Sequence, residues 1–139
     1  MKALYTATAR THGGREGHVE TSDGLLRLDL AKPKELGGQG DGTNPEELFA
    51  AGYAACFESA MRHIARLQNI HMDNASILSQ VSLYPTPEQG FKLGVEMHVN
   101  VRGLNQKDAE ALVAKAHEVC PYSNAIRGNV EVEFKISAE

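Results

Sequence analysis

The segment from Asn44 to Asn69 constrains this chain most, because it predicts one long helix that needs cover on several sides. Asn44 suits the N-cap, Pro45 the first helical position, and Glu47 the third, where a carboxylate completes a capping box. The run LFAAGYAACF that follows is apolar on every side, which is typical of a buried helix. We therefore expect a central helix of about 25 residues, nearly 40 Å long at about 1.5 Å per residue.

Segments on either side of this helix alternate apolar and polar residues, which predicts β-strands. The strands are expected at Ala3–Arg10, 26–30, Ile77–Tyr84, 91–102 and 130–136. A second apolar stripe begins after Asn105, a suitable N-cap, and predicts a helix that stops at Pro121. This order of elements predicts an α+β fold, with helices packed on antiparallel sheet in a single domain over residues 1–139.

The charge pattern excludes several classes of partner. Fourteen Lys and Arg residues against eighteen Asp and Glu leave a net charge of −4, and the basic residues are scattered. This distribution argues against nucleic acid and anionic lipid as ligands. No apolar run approaches the roughly eighteen residues of a membrane span, and the N-terminus does not resemble a secretory leader, so a cytoplasmic protein is expected. The six histidines show no metal-binding spacing, and no metal is expected.

Two cysteines, Cys56 in the long helix and Cys120 at the end of the second, are candidates for redox chemistry. Both lie on apolar helix faces that must meet in one small core, and packed helices can bring Cα atoms within the roughly 7 Å that a disulfide needs. Paired cysteines in the cytoplasm are more often catalytic or redox-sensing than structural. Each cysteine taken alone also fits an inert core residue.

A cation and a carboxylate complete the candidate site. Arg15 could lower the pKa of a thiol, and Glu46 could orient the guanidinium bidentately, although a solvated arginine and a helix-dipole contact explain them equally well. On a straight helix Glu46 lies about 15 Å from Cys56, so Glu46 would serve the Cys56 of a second chain. The long apolar helix also favours a second chain, because one chain of this size has too little structure to bury the helix on every side. We therefore expect a homodimer with this helix at its centre.

Three segments resemble the organic hydroperoxide resistance branch of the OsmC/Ohr superfamily. They are LYTATARTHGGREG, PKELGGQGDGTNPEELFAAGYAACF and AHEVCPYSNAIRGNVEV, and the resemblance covers nearly the whole chain. By this resemblance Cys56 is the peroxidatic cysteine and Cys120 the resolving cysteine, while Arg15 and Glu46 match the catalytic arginine and glutamate. His12 before the glycines and Ile126 in AIRGN depart from the usual wording without touching the chemistry.

The resemblance implies an intertwined α+β homodimer with two active sites at the subunit interface. It implies reduction of organic and fatty-acid hydroperoxides to alcohols through a disulfide, without a bound cofactor. Electrons would come from dihydrolipoyl groups on a lipoylated protein. The residues themselves favour apolar substrates if aromatic side chains (Phe49, Tyr53 and Phe57) wall the thiol.

Three alternatives remain open. The chain could be an OsmC-type protein that uses a broader range of peroxides. It could be a cysteine hydrolase in which one of the histidines activates Cys56. His117 lies three residues before Cys120 and could activate that thiol, but this pair is disfavoured because the sequence shows no oxyanion hole and no third group to orient the histidine. It could also be a redox sensor that forms the disulfide without turnover.

Overall fold

The computed structural model describes residues 1–139 and contains three α-helices and two three-stranded sheets. The predicted α+β class is confirmed. The contacts divide the chain into two compact units, Met1–Leu48 and Phe49–Glu139, and the single-domain assignment stays a prediction. No helix combines the length and the apolar character that crossing a lipid bilayer requires.

The first unit is built on a small antiparallel sheet in the order β1-β2-β3. Its strands are β1 (Ala9–His12), β2 (His18–Thr21) and β3 (Arg27–Asp29), and short 3₁₀ helices cover Gly14–Glu16 and Lys34–Leu36. The strand prediction for Ala3–Arg10 is wrong for its first six residues, because pairing with β2 begins only at Ala9. Side-chain alternation favours an extended chain, but a strand also needs a neighbour to pair with.

Helix α1 (Pro45–Leu67) begins in the first unit and continues into the second. The Glu47 N–H donates to Asn44 Oδ1 at 2.9 Å, which confirms the predicted N-cap. The Glu47 carboxylate does not close the predicted capping box: it accepts from the Thr43 hydroxyl at 2.8 Å. The helix ends close to Asn69, whose φ of 53° is left-handed and cannot continue it.

One face of α1 is covered and another is not. The covered face belongs to the core of the second unit and comprises Tyr53, Phe57, Ala60, Met61, Ile64 and Ala65. On the other face Ala51 and Ala55 are exposed. The expectation of a helix covered on every side is therefore not met within one chain.

The second unit packs its helices on a larger sheet in the order β4-β5-β6. The strands are β4 (Asn74–Pro85), β5 (Phe91–Arg102) and β6 (Val132–Ala138), and the helices are α2 (Gln106–Val119) and α3 (Pro121–Ile126). β4 and β5 pair antiparallel, in agreement with the predicted antiparallel sheet, whereas β5 and β6 pair parallel. The purely antiparallel sheet was a wrong prediction, because the chain crosses back through α2 and α3 before it adds β6.

The junction between α2 and α3 is a single extended residue. Cys120, with φ −63° and ψ 124°, is both the C-cap of α2 and the N-cap of α3. Pro121 ends α2 as predicted, but it also occupies the first turn of a short helix that the sequence did not reveal. Proline suits that position because its missing N–H has no partner there and its fixed φ is helical. The junction therefore turns sharply at a cysteine.

Replacing Asn44 tests the N-cap of α1. We expect Asn44→Ala to lower the free energy of unfolding by about 1 kcal/mol, because the Glu47 N–H loses its acceptor. Urea unfolding at fixed protein concentration measures the change. Asn44→Asp keeps an acceptor oxygen and should stay close to the parent protein. Equal losses in the two variants would contradict the capping role.

Candidate active site

The structure brings the two cysteines of the second unit together. Cys56 on α1 and Cys120 at the α2–α3 junction are both free thiols, and their Sγ atoms lie 3.8 Å apart. A disulfide has an S–S length of about 2.05 Å, so the sulfurs are in contact without being bonded. Cys120 is fully buried, whereas Cys56 is partly exposed. A reagent from solution therefore meets Cys56 first.

The surroundings of Cys56 favour the neutral thiol. Burial raises the pKa of Cys56, and the neighbouring Cys120 raises it further. The backbone N–H of Tyr122 acts in the opposite sense, because it donates to the Cys56 sulfur and stabilises the thiolate. Since Pro121 has no N–H, this is the first amide of α3 that can donate. The turn that contains Cys120 thus also supplies a hydrogen bond to Cys56.

An open cavity of about 470 Å³ borders Cys56. Its wall is formed by Cys56, Ser59, Ala60, Arg62, His63, Arg66, Val119 and Pro121. The aromatic side chains expected to wall the thiol do not line it: Tyr53 and Phe57 are fully buried in the core. The cavity instead combines small apolar groups with cationic side chains, of which Arg62 is paired with Glu58 at 2.6 Å.

A glycine permits close packing beside this cysteine. A Cβ on Gly52 would lie 2.6 Å from the phenolic oxygen of Tyr122, so a side chain at residue 52 would displace the Tyr122 ring from its present position against α1. The same ring stacks on Tyr53 with centroids 5.8 Å apart. The stacking of Tyr122 on Tyr53 therefore holds the start of α3 against α1, and Gly52 leaves the space for this contact.

A polar network that the sequence did not reveal lies behind the cysteines. The Tyr53 hydroxyl and Ser123 Oγ are 2.6 Å apart, and Ser123 Oγ is 2.8 Å from His117 Nδ1. Tyr53 and Ser123 are fully buried. The only signal for this network was that His117 and Ser123 are polar residues flanking the apolar end of the second helix. His117 is thus engaged with Ser123, and neither cysteine has a hydrogen bond to a histidine.

In the first unit the structure joins the other two predicted site residues. Arg15 donates from both terminal nitrogens to the two carboxylate oxygens of Glu46, at 2.7 and 2.6 Å. This bidentate geometry is the strongest form of such a pair. The hydrogen bond from Arg15 lowers the pKa of Glu46, although partial burial opposes the shift. Glu46 therefore orients the guanidinium and stays ionised.

Glycines position Arg15. Gly13 adopts a left-handed φ of 79°, which begins the turn, and Arg15 follows in the 3₁₀ helix Gly14–Glu16. A Cβ on Gly17 would lie 1.6 Å from the carbonyl oxygen of His12, so the chain can close this turn only with glycine there. The segment THGGREG is thus a tight turn that presents one arginine. No group of three or more potential metal ligands occurs in the structure.

Comparison with known proteins identifies the family of this chain. A family model described as OsmC-like protein matches residues 38–135, a range that includes both cysteines and Glu46. The chain belongs to the OsmC-like family. Arg15 lies outside the matched range, in a part of the chain covered by the full-length relatives below.

Two curated relatives of this OsmC-like protein cover nearly the whole chain. A protein from Xanthomonas axonopodis pv. citri, named organic hydroperoxide resistance protein, is 49% identical over 138 residues, or 98% of this chain and 96% of its own. The Bacillus subtilis protein named organic hydroperoxide resistance protein OhrB is 48% identical over 135 residues, or 96% of this chain and 98% of its own. These matches confirm the resemblance seen in the sequence.

Solved structures agree with the OsmC-like fold. A crystal structure from Legionella pneumophila, described as an organic hydroperoxide resistance protein OsmC, superposes with a TM-score of 0.96 at 70% identity and covers 98% of this chain and 99% of its own. The B. subtilis OhrB crystal structure superposes with a TM-score of 0.88 at 47% identity, over 97% and 100% of the two chains. The predicted OsmC/Ohr-like fold is thereby confirmed.

Titration of Glu46 tests its pairing with Arg15. The pKa of Glu46 is depressed in the folded state, so the pair stabilises the protein at pH values above the ordinary carboxyl range and this contribution is lost as the pH falls through the depressed pKa. We expect carboxyl NMR to place Glu46 below the usual glutamate value of about 4.3, and Arg15→Gln to raise it.

A matched control is Glu35→Gln, which changes an exposed glutamate without an ion pair in the structure. It should leave the acid unfolding midpoint unchanged, whereas Glu46→Gln should weaken the dependence of stability on pH in that range. An unshifted Glu46 resonance would argue against the bidentate pair in solution.

Proposed function

We propose that this OsmC-like protein is a cysteine-based peroxidase that reduces organic hydroperoxides to alcohols. Family membership supports a role in hydroperoxide detoxification. The observation that carries the finer proposal is the pair of free thiols, 3.8 Å apart, of which Cys56 is partly exposed and Cys120 is buried. A sulfur in reach of solvent and a buried sulfur in contact with it are what a two-cysteine cycle requires.

The cycle is balanced without a bound cofactor. The Cys56 thiolate attacks the distal oxygen of the hydroperoxide, the O–O bond breaks, and the alkoxide takes a proton to leave as the alcohol. Cys56 is then a sulfenic acid. The Cys120 thiol attacks this sulfur, water leaves, and a disulfide remains. An external dithiol then reduces the disulfide by exchange and is itself oxidised to a disulfide.

Arg15 and Glu46 would supply the positive charge that the thiolate needs. Within the second unit the Cys56 pKa is raised by burial, and the Tyr122 N–H offsets only part of that effect. A guanidinium beside the sulfur would favour the thiolate and stabilise the departing oxygen. The spacing of Glu46 and Cys56 along the helix supports the proposal that a second chain provides this charge and that the active unit is a homodimer.

The uncovered face of α1 supports the same assembly. Ala51 and Ala55 are exposed there, between the positions of Glu46 and Cys56 along the helix. Small side chains let two helices approach closely. A homodimer with α1 at its centre would cover this face and form two equivalent sites. Sedimentation of a stable monomer at micromolar concentration would contradict it.

The remaining features of the proposal concern substrate, donor and location. The substrate class is alkyl and fatty-acid hydroperoxides, and the apolar part of the cavity beside Cys56 (Ala60, Val119 and Pro121) supports it. The proposed donor is a dihydrolipoyl group on a lipoylated protein in the cytoplasm. No nucleic acid or membrane partner is proposed.

Counting turnovers tests the reaction. With tert-butyl hydroperoxide and dihydrolipoamide we expect many turnovers, and fewer with hydrogen peroxide or with glutathione. Cys56→Ser should abolish turnover, because the attacking sulfur is gone. Cys120→Ser should allow one oxidation and then leave Cys56 open to sulfinic acid formation, visible by mass spectrometry. A normal rate in Cys56→Ser would overturn the assignment.

The same assay separates the alternatives. Equal use of hydrogen peroxide and alkyl hydroperoxides would indicate a broader OsmC-type peroxidase. A single oxidation without turnover would indicate a redox sensor. Release of acid from a thioester without any reductant would indicate a cysteine hydrolase, in which His63, which lines the same cavity as Cys56, would be a candidate base.

Mixed dimers test whether Arg15 of one chain serves Cys56 of its partner. Cys56→Ser and Arg15→Ala chains are each expected to be inactive as homodimers. Their co-expressed heterodimer should recover activity, because one of its two sites then combines an intact Cys56 with an intact Arg15 from the other chain. Heterodimers isolated with two affinity tags, assayed per site, should approach half of the parent rate.

The matched control is a heterodimer of the parent chain with a chain that carries both Cys56→Ser and Arg15→Ala. If the site is shared between chains, this heterodimer has no intact site and should be inactive. If each site forms within one chain, the two outcomes are reversed. The paired measurement therefore distinguishes the two arrangements whatever the absolute rate.

A further inference from the structure

A buried hydrogen-bond chain joins the three helices that meet at Cys120. Tyr53 comes from α1, His117 from α2 and Ser123 from α3. Ser123 Oγ bridges the other two, at 2.6 Å from the Tyr53 hydroxyl and 2.8 Å from His117 Nδ1. Helix α3 has six residues and only one of them, Ser123, is buried. This serine is therefore its main polar attachment to the rest of the unit.

In this hydrogen-bond chain every donor and acceptor can find a partner. Burial lowers the pKa of His117, and the nearby charge of Arg127 lowers it further, so the imidazole is neutral at pH 7. A neutral Nδ1 can accept from Ser123, and Ser123 can accept from Tyr53, so that each hydroxyl donates once. Arg127 also donates to the His117 carbonyl and to Asn124 Oδ1, which ties the end of α3 back to α2.

The attached turn carries both functional contacts of Cys56. The Cys120 sulfur lies at one end of the turn and the Tyr122 N–H, which donates to the Cys56 sulfur, two residues later. Ser123 follows directly. A displacement of α3 would therefore change two things together: the donor that stabilises the Cys56 thiolate, and the approach of Cys120 to an oxidised Cys56.

We propose that Tyr53, Ser123 and His117 act as positioning residues that hold the turn Cys120–Tyr122 in the geometry required for both thiolate formation at Cys56 and its resolution by Cys120. This inference rests on the proposed peroxidase function. Tyr53 and Ser123 are fully buried, and none of the three residues lines the cavity beside Cys56. Their effect passes through the backbone of one short turn.

Disulfide formation by Cys120 is more sensitive to a displacement of this turn than thiolate formation at Cys56. The sulfurs must close from 3.8 Å to about 2.05 Å when the disulfide forms and water leaves the sulfenic acid. The Cys120–Pro121 junction has no helical hydrogen bond of its own beyond the caps, so it can adjust while Ser123 stays anchored. Without the anchor, Cys120 samples more positions and is less often aligned with the sulfur of Cys56.

Removing single hydroxyl groups tests the inference. Tyr53→Phe keeps the buried ring and Ser123→Ala keeps the helix, and each removes one link of the chain. We expect disulfide formation after stoichiometric tert-butyl hydroperoxide to slow by about 3- to 10-fold, as loss of one buried hydrogen bond allows. Quenched alkylation with mass spectrometry follows the linkage. The double variant should be no slower than Ser123→Ala alone.

A second readout separates positioning from plain stability. In a Cys120→Ser background, the pH profile of Cys56 alkylation by iodoacetamide should move to higher pH in both variants, because the Tyr122 N–H no longer holds its position. Val99→Ala, a buried substitution on β5, should lower the melting temperature without moving this profile. Tyr84→Phe, an exposed tyrosine, should change nothing.

The outcomes are distinct. If Tyr53→Phe and Ser123→Ala lower only the melting temperature, and leave both the resolution rate and the alkylation profile at parent values, the positioning role is wrong while the peroxidase function stands. If the parent protein itself forms no linkage between Cys56 and Cys120, both proposals are overturned. Slower resolution together with a shifted profile supports the inference.

Discussion

The apolar core that α1 and α2 share places the sulfur of Cys120 in contact with that of Cys56, 64 residues away in sequence. The contact depends on an apolar stripe of α2 (Ala109, Leu112, Val113 and Ala116), which shares one core with the buried face of α1. Pro121 then ends α2 at the point where Cys120 meets α1. Because the stripe fixes the rotation of α2 and the proline fixes where it stops, the position of the second sulfur follows from both.

The electrostatics of the two units differ. In the second unit burial favours a neutral thiol at Cys56, and one backbone N–H works against that preference. In the first unit Arg15 and Glu46 form a bidentate pair that keeps both groups ionised. The partner of this cation, Glu46, lies ten residues before Cys56 on α1, or about 15 Å along the helix. This spacing is the physical reason for proposing that the active unit contains two chains.

The sequence predicted the elements whose signals are local. The N-cap at Asn44, the alternation of β5 and the helix after Asn105 each depend on neighbours a few residues away, and each was found. The elements that failed depend on distant partners. Residues 3–8 read as a strand but have no strand beside them, and the parallel pairing of β6 follows from a crossover through two helices.

For the candidate site, the residue types alone left ordinary structural explanations open at all four positions, and the resemblance of three segments to the organic hydroperoxide resistance proteins singled out Cys56, Cys120, Arg15 and Glu46. The sequence also determined the family, through segments whose glycines, prolines and cysteines each carry a structural requirement. Only the tertiary structure decided that the sulfurs touch and that, of the two cysteines, only Cys120 is fully buried. It also decided that Ser123 joins Tyr53 to His117. Distances between side chains on different elements arise from packing in three dimensions, which periodicity along one chain does not encode.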